Sequence, residues 1–213
     1  MIRAAVCILA LLETTSADPN EFFDRVLLDL GRQIRRDGLD SLDVDGFELK
    51  VEKTGFFTRE FEASFSSGEL IGLSTAVRDG DCADDLVDAI DTWFYTIKCK
   101  IVMPHARFAF DAVVKGDDII GRSHLIATTT HLTNVSAEVM IARTEDSSKF
   151  KRLTVTSTGP LETNIVQGSV DLNPERKLSF ISQINEKLSE KIGQLFDREY
   201  AQMLRMVIPR YVL

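Results

Sequence analysis

The chain has 213 residues, with 25 Lys and Arg against 33 Asp and Glu and a formal net charge of -8. A chain this acidic does not suit a phosphate backbone, so nucleic acid is excluded as a partner class. Its histidines, His105, His124 and His131, stand in no HExxH, GxSxG or cysteine-histidine pattern; the expectation is a protein that is no enzyme, with no catalytic or metal-ligating set and no cofactor.

The opening segment MIRAAVCILALLETTSA places one basic residue before a short apolar run and ends in small residues. That is the pattern of a secretory signal peptide cut after Ala17. The run is far too short for a hydrocarbon layer of ~30 Å. Residues 1-17 are therefore read as a signal peptide and 18-213 as a single domain, secreted and extracellular. Cys82 and Cys99 are the cysteines left after cleavage, and in an exported chain such a pair is expected to form a disulfide. Asn134-Val135-Ser136 is a sequon, which predicts a glycoprotein carrying its glycan on Asn134.

Asp18-Pro19-Asn20-Glu21 reads as a helix start: an Asp cap, Pro in the first turn, Glu at the third position. Phe22, Phe23, Val26, Leu27, Leu30 and Ile34 then share one side, and the helix is expected over 19 to 36. From Phe47 the period changes to two. Alternating runs cover Phe47 to Val51, Phe61 to Phe65, Ile71 to Val77, Trp93 to Met103, Phe108 to Val114, HLIATTTHL, Val135 to Ile141, and Leu153 with Val155. Asp84, Asp85, Asp88 and Asp91 read as a short helical turn leading to Trp93, since acids favour helix starts.

After Asn173-Pro174, a cap followed by a first-turn proline, apolar residues recur at three- and four-residue steps to Ile208. One helix of about 35 residues would measure roughly 50 Å. That is as long as the whole body of a domain of this size. Long strands can bury its stripe only by curving along it. The fold expected is α+β: a curved antiparallel sheet wrapped around the long C-terminal helix, with the N-terminal helix over an open edge or end.

Two stretches resemble a known family. GELIGLSTAVRDGDC, with Gly72-Leu73 followed by Arg78 and Gly80-Asp81, is similar to a segment of the group 7 mite allergens, and LFDREYAQMLRMVIPRYV is similar to their closing helix. The resemblance implies the tubular lipid-binding superfamily of bactericidal/permeability-increasing protein, lipopolysaccharide-binding protein, takeout and juvenile-hormone-binding proteins. In that superfamily a sheet wraps a long helix and lipid-like ligands lie between them. Takeout-like carriers usually have a cysteine pair near the mature amino terminus, which this chain lacks.

A lipid chain between sheet and helix would meet Phe61, Phe65, Trp93, Tyr95, Phe108 and Phe110 from the strands and Ile184, Leu188, Ile192 and Leu195 from the helix. Close packing with no ligand is the competing reading of the same residues. Gly72, Gly116, Gly121, Gly168 and Gly193 are expected to thin the wall. The function expected is a secreted, non-enzymatic binder or carrier of lipid or other apolar small molecules. The alternative is an allergen-like or immune interaction protein acting through its outer surface. Transient membrane or protein contact and the oligomeric state stay open.

Overall fold

The computed structural model describes residues 18–55, 58–89, 92–118, 120–144 and 146–211, with the backbone alone for 87–89 and 92–94. The expected signal peptide, and Phe56 and Phe57, lie outside the described residues. Helix α1, Pro19–Arg36, begins as its sequence demands: the Asp18 side chain accepts from Asn20 N, Pro19 takes the first position, and Arg35 and Arg36 occupy the last turn. Its buried face is Phe22, Phe23, Val26, Leu27, Leu30 and Ile34.

Among the described residues twelve strands follow: β1 Ser41–Val44, β2 Phe47–Val51, β3 Phe61–Phe65, β4 Gly68–Ile71, β5 Val77–Arg78, β6 Ala83–Ala89, β7 Thr92–Val102, β8 Arg107–Lys115, β9 Ser123–His131, β10 Ser136–Arg143, β11 Ser148–Ser157 and β12 Glu162–Gln167. They form two antiparallel sheets. In the first, β8 pairs along one edge with β4 and β3, which lead outward to β1 and β2, and along the other with β9 and then β12. In the second, β7 lies between β10 and the β5 and β6 strands, and β10 pairs with β11.

The sheets are continuous through two strands. β7 runs into β8 and β9 into β10, and both bend together at 103–106 and 132–135. There Leu132 N donates to Ala106 O at 3.0 Å, so the ladder is carried across the bend. This shared bend curves the whole surface.

The chain closes with α2, Pro174–Leu195, a π-helical turn at Phe196–Tyr200, α3, Ala201–Val207, and a 3-10 turn at Ile208–Arg210. Asn173 caps the rod, its side-chain oxygen accepting from Arg176 N at 2.9 Å. α2 packs against both β2 and β12, while the π turn and α3 pack against β11. α1 covers α3, β5 and the turn Leu73–Thr75. A curved sheet wrapped around a long C-terminal helix, with α1 beside its far end, is thus the architecture. Among the described residues no helix is long and apolar enough to cross a membrane.

Three expectations change. Residues 83–89 are a strand of the β6–β7 hairpin and not a helical turn, because Ala83 to Ala89 pair residue by residue with β7 and Asp85 meets Lys98 at 3.0 Å. The run from Ile71 to Val77 breaks at Gly72, whose φ of 93° lets its N–H turn to Asp40 O. Gly72, Gly116, Gly121 and Gly168 all have positive φ and hold turns; they do not thin the wall. β1 and β12 carry too little alternation to be read in advance.

Candidate functional site

The interior between sheet and helix is built by two periodicities. Along α2, Phe180, Ile184, Leu188 and Ile192 recur every four residues and are all buried, and Phe196 and Tyr200 extend the same series through the π turn. Along β3 and β8, alternate residues Phe61, Ala63, Phe65, Phe108, Phe110, Ala112 and Val114 face them. Phe61 meets Phe180 edge to face at 5.0 Å between ring centroids. Phe65 stacks on Phe47 at 4.4 Å, with Phe110 edge-on at 6.1 Å. An aromatic cluster therefore ties strands β2, β3 and β8 to the helix.

Of the residues the sequence singled out, Phe61, Phe65, Phe108, Phe110, Ile184, Leu188 and Ile192 come together in this interior. Leu195 does not. It is half-buried on the flank of the helix, beside a small surface cleft with Asp43, Asp45, Lys191 and Arg198, because the inward position one residue on belongs to Phe196. Tyr95 is also displaced, with 48% of its surface exposed. Its strand parity is that of Ile97, Cys99 and Ile101, but it lies beyond the end of the packed core. Trp93 is on β7, and its side chain lies outside the described residues. The sequence reading of the lining omitted Phe47, Phe180, Phe196 and Tyr200. Phe180 was available from the four-residue repeat, one step before Ile184.

One polar seam crosses this apolar interior. Thr130 and Thr163 share a hydrogen bond of 2.6 Å between hydroxyls, Thr163 donates to Asn185 Oδ1 at 2.6 Å, and Asn185 Nδ2 donates to Leu161 O at 3.1 Å. Asn185 thereby gives edge strand β12 a partner from α2. On the opposite edge, the Lys191 ammonium lies over the Phe47 ring at 5.9 Å. The helix closes the gap between the two sheet edges.

At the other end the sheet outruns the helices. Leu86 is the register partner of Tyr95, and Tyr95 is that of Arg143. Leu86 is 53% exposed, while Ile97 and Ile141, two residues further in on the same face, are buried. Arg143 rests its guanidinium over the Phe22 ring at 5.7 Å and so marks the boundary between the open ledge and the filled interior. The hairpin carrying the ledge is pinned by the Cys82–Cys99 disulfide, with Cα atoms 4.4 Å apart. The described clefts open elsewhere. One of about 390 Å³ runs between α1 and residues 74–78, floored by Leu27, Leu28, Gly31 and Val77, with Arg35 at one end and the Asp24–Arg78 pair at the other.

Asn134 is exposed in the bend between β9 and β10, its Nδ2 donating to Pro160 O at 3.2 Å. Within the acidic run after Val77, Asp79 pairs with Lys100 at 2.6 Å and Asp85 with Lys98 at 3.0 Å. Tyr200 is fully enclosed and its hydroxyl has no hydrogen-bond partner among the described residues; burial alone pushes its phenol far above the ordinary tyrosine range.

No protein-family model matches the chain, and no curated protein sequence matches it. Among solved structures it is similar to lipopolysaccharide binding protein, at 12% identity and a TM-score of 0.40, over 88% of this chain and 40% of that one. The chain thus spans well under half the length of that protein. It is also similar to Takeout 1 of Epiphyas postvittana, at 16% identity and a TM-score of 0.37, over 89% of this chain and 86% of that one. At such scores these likenesses assign neither a ligand nor a role.

Proposed function

We propose that the chain is a secreted, non-enzymatic binder or carrier of lipid-like molecules, taking an alkyl chain between the curved sheet and the long helix. The observation that carries this reading is the ledge of Leu86 and Tyr95. These two exposed side chains share the face of the buried Ile97, flanked by Asp84 and Arg143, and the interior of Phe, Ile and Leu side chains along the helix begins beyond them. Each methylene taken out of water contributes about 0.8 kcal/mol, so a long alkyl chain gains enough to compete with the packing it displaces, while a small polar metabolite does not. The resemblance to group 7 mite allergens and the tubular lipid-binding superfamily agrees with this reading. The test is uptake of a fluorescent fatty-acid probe and its displacement by lauric acid. Saturable uptake reversed by lauric acid supports the reading, and a flat titration removes it.

A second reading has one observation in its favour. On the outer face of the first sheet, Val113 and Leu125 are register partners and are 47% and 69% exposed. Such an aliphatic pair suits a protein partner, as an interaction protein acting through its outer surface requires. If Leu125→Glu left probe uptake intact but abolished a co-purifying complex, the outer surface would be the functional one.

A further inference from the structure

The π turn at Phe196–Tyr200 breaks the regularity of the long helix where the helix passes from the first sheet to the second. A stripe repeating every four residues precesses by about 40° per step along an α-helix. From Phe180 to Phe196 that drift would carry the buried face well around the rod. One extra residue in a turn sets the following residues back by roughly 100°, which returns Leu204, Val207 and Ile208 to the interior. The same turn fixes Tyr200 in the core, its ring 5.7 Å from that of Phe196.

Register alone does not require a hydroxyl there. Phenylalanine would fill the same space, and a buried tyrosine ordinarily finds a partner for its O–H. Tyr200 is 1% exposed and has none among the described residues, a condition it shares with Ser148 Oγ and Arg176 Nε, whereas the buried hydroxyls of Thr128, Thr130 and Ser136 are bonded. An unpartnered donor deep in an apolar interior, at a π turn, is the arrangement expected of a group whose partner arrives from outside.

We propose that Tyr200 is the polar anchor of the guest, its hydroxyl donating one hydrogen bond to a neutral acceptor oxygen on an otherwise apolar molecule: an ester, a ketone or an alcohol. This rests on the reading of the interior as a guest site. The acceptor is neutral because, among the described residues, the buried charges lie at the far end of the rod and the half-buried Arg143 is held over the Phe22 ring at the edge of the interior. Arg176 is in the first turn of α2, roughly 36 Å away along the axis, and the buried Asp117 carboxylate is held by Asp171 N just before that helix. A carboxylate beside Tyr200 would be buried without a counter-ion, and that is costly.

The experiment compares the wild type with Tyr200→Phe, using displacement of N-phenylnaphthylamine by methyl laurate and by dodecane, with circular dichroism to confirm that both are folded. Methyl laurate is expected to bind the wild type about five-fold more tightly than the variant, the effect of one neutral hydrogen bond, and dodecane to bind both alike. Equal affinity of the two proteins for methyl laurate would overturn the anchor while leaving the guest site standing. Failure of both proteins to take up the dye would remove the guest site and the anchor with it.

Discussion

Asn185 on the long helix and Thr163 on edge strand β12 share a 2.6 Å hydrogen bond, and the same asparagine donates to the carbonyl of Leu161. A side chain thus does at this edge what a neighbouring strand would otherwise do. Asn185→Leu keeps the branched outline of the side chain and removes both bonds, leaving Thr163 and Leu161 O short of partners. The loss expected is about 1–3 kcal/mol, read from the midpoint of urea unfolding, with hydrogen exchange rising first in β12.

The aromatic cluster and the ledge respond differently to truncation. Phe61→Ala removes a fully buried ring that meets Phe180 edge to face, and is expected to cost about 3–5 kcal/mol. Tyr95→Ala acts on a side chain half in solvent and is expected to stay within about 1 kcal/mol. On the proposed function it should nevertheless slow the uptake of a fatty probe, with Tyr95 at the entrance assigned to the alkyl chain. Equal thermal shifts for the two variants would contradict the placement of Tyr95 at the rim.

Much of this was legible in advance because period carries direction. The four-residue steps of the last helix and the alternation from Phe61 to Phe65 and Phe108 to Val114 assign their own inward faces, and Asp18 and Asn173 announce their helices. What escaped had no such signal. β12 is Glu-Thr-Asn-Ile-Val-Gln, a strand defined by its pairing with β9 and by Asn185. The acidic stretch of β6 resembles a helix start until Lys98 is placed beside it. Tyr95 has the parity of an interior residue, but alternation says nothing of where the core ends. The π turn is likewise invisible, since FDREY fits a plain helix.

The disulfide pins the hairpin that carries the ledge, with Cys99 buried on the same face as Tyr95. Replacing Cys82 and Cys99 together with serine is expected to cost about 3 kcal/mol, the value for a closed loop of this size. The loss should concentrate in the β6–β7 hairpin. Limited proteolysis cutting first near 83–89 in the variant checks it, and an unchanged unfolding midpoint would contradict it.

Alkaline pH should unfasten the end of the chain. Tyr211 donates to Asp29 on α1 and packs edge-on against Phe22, and burial together with that bond raises its phenol to about 12. The folded state therefore holds this proton more tightly than the unfolded chain, where tyrosine titrates near 10. The stabilisation is complete below about pH 10 and is lost as pH rises through about 12. Asp29, lowered chiefly by the same bond, adds the opposite dependence, lost as pH falls below its ordinary 3.8. Unfolding midpoints measured across both ranges should slope less in Tyr211→Phe than in the wild type.

The most direct measurement is native mass spectrometry, followed by solvent extraction, of protein produced through a secretory route. An added mass lost on extraction and recovered as a molecule with a long alkyl chain is the predicted result. A bare polypeptide mass, with nothing extracted and no probe taken up afterwards, would contradict the binding of an apolar guest between sheet and helix.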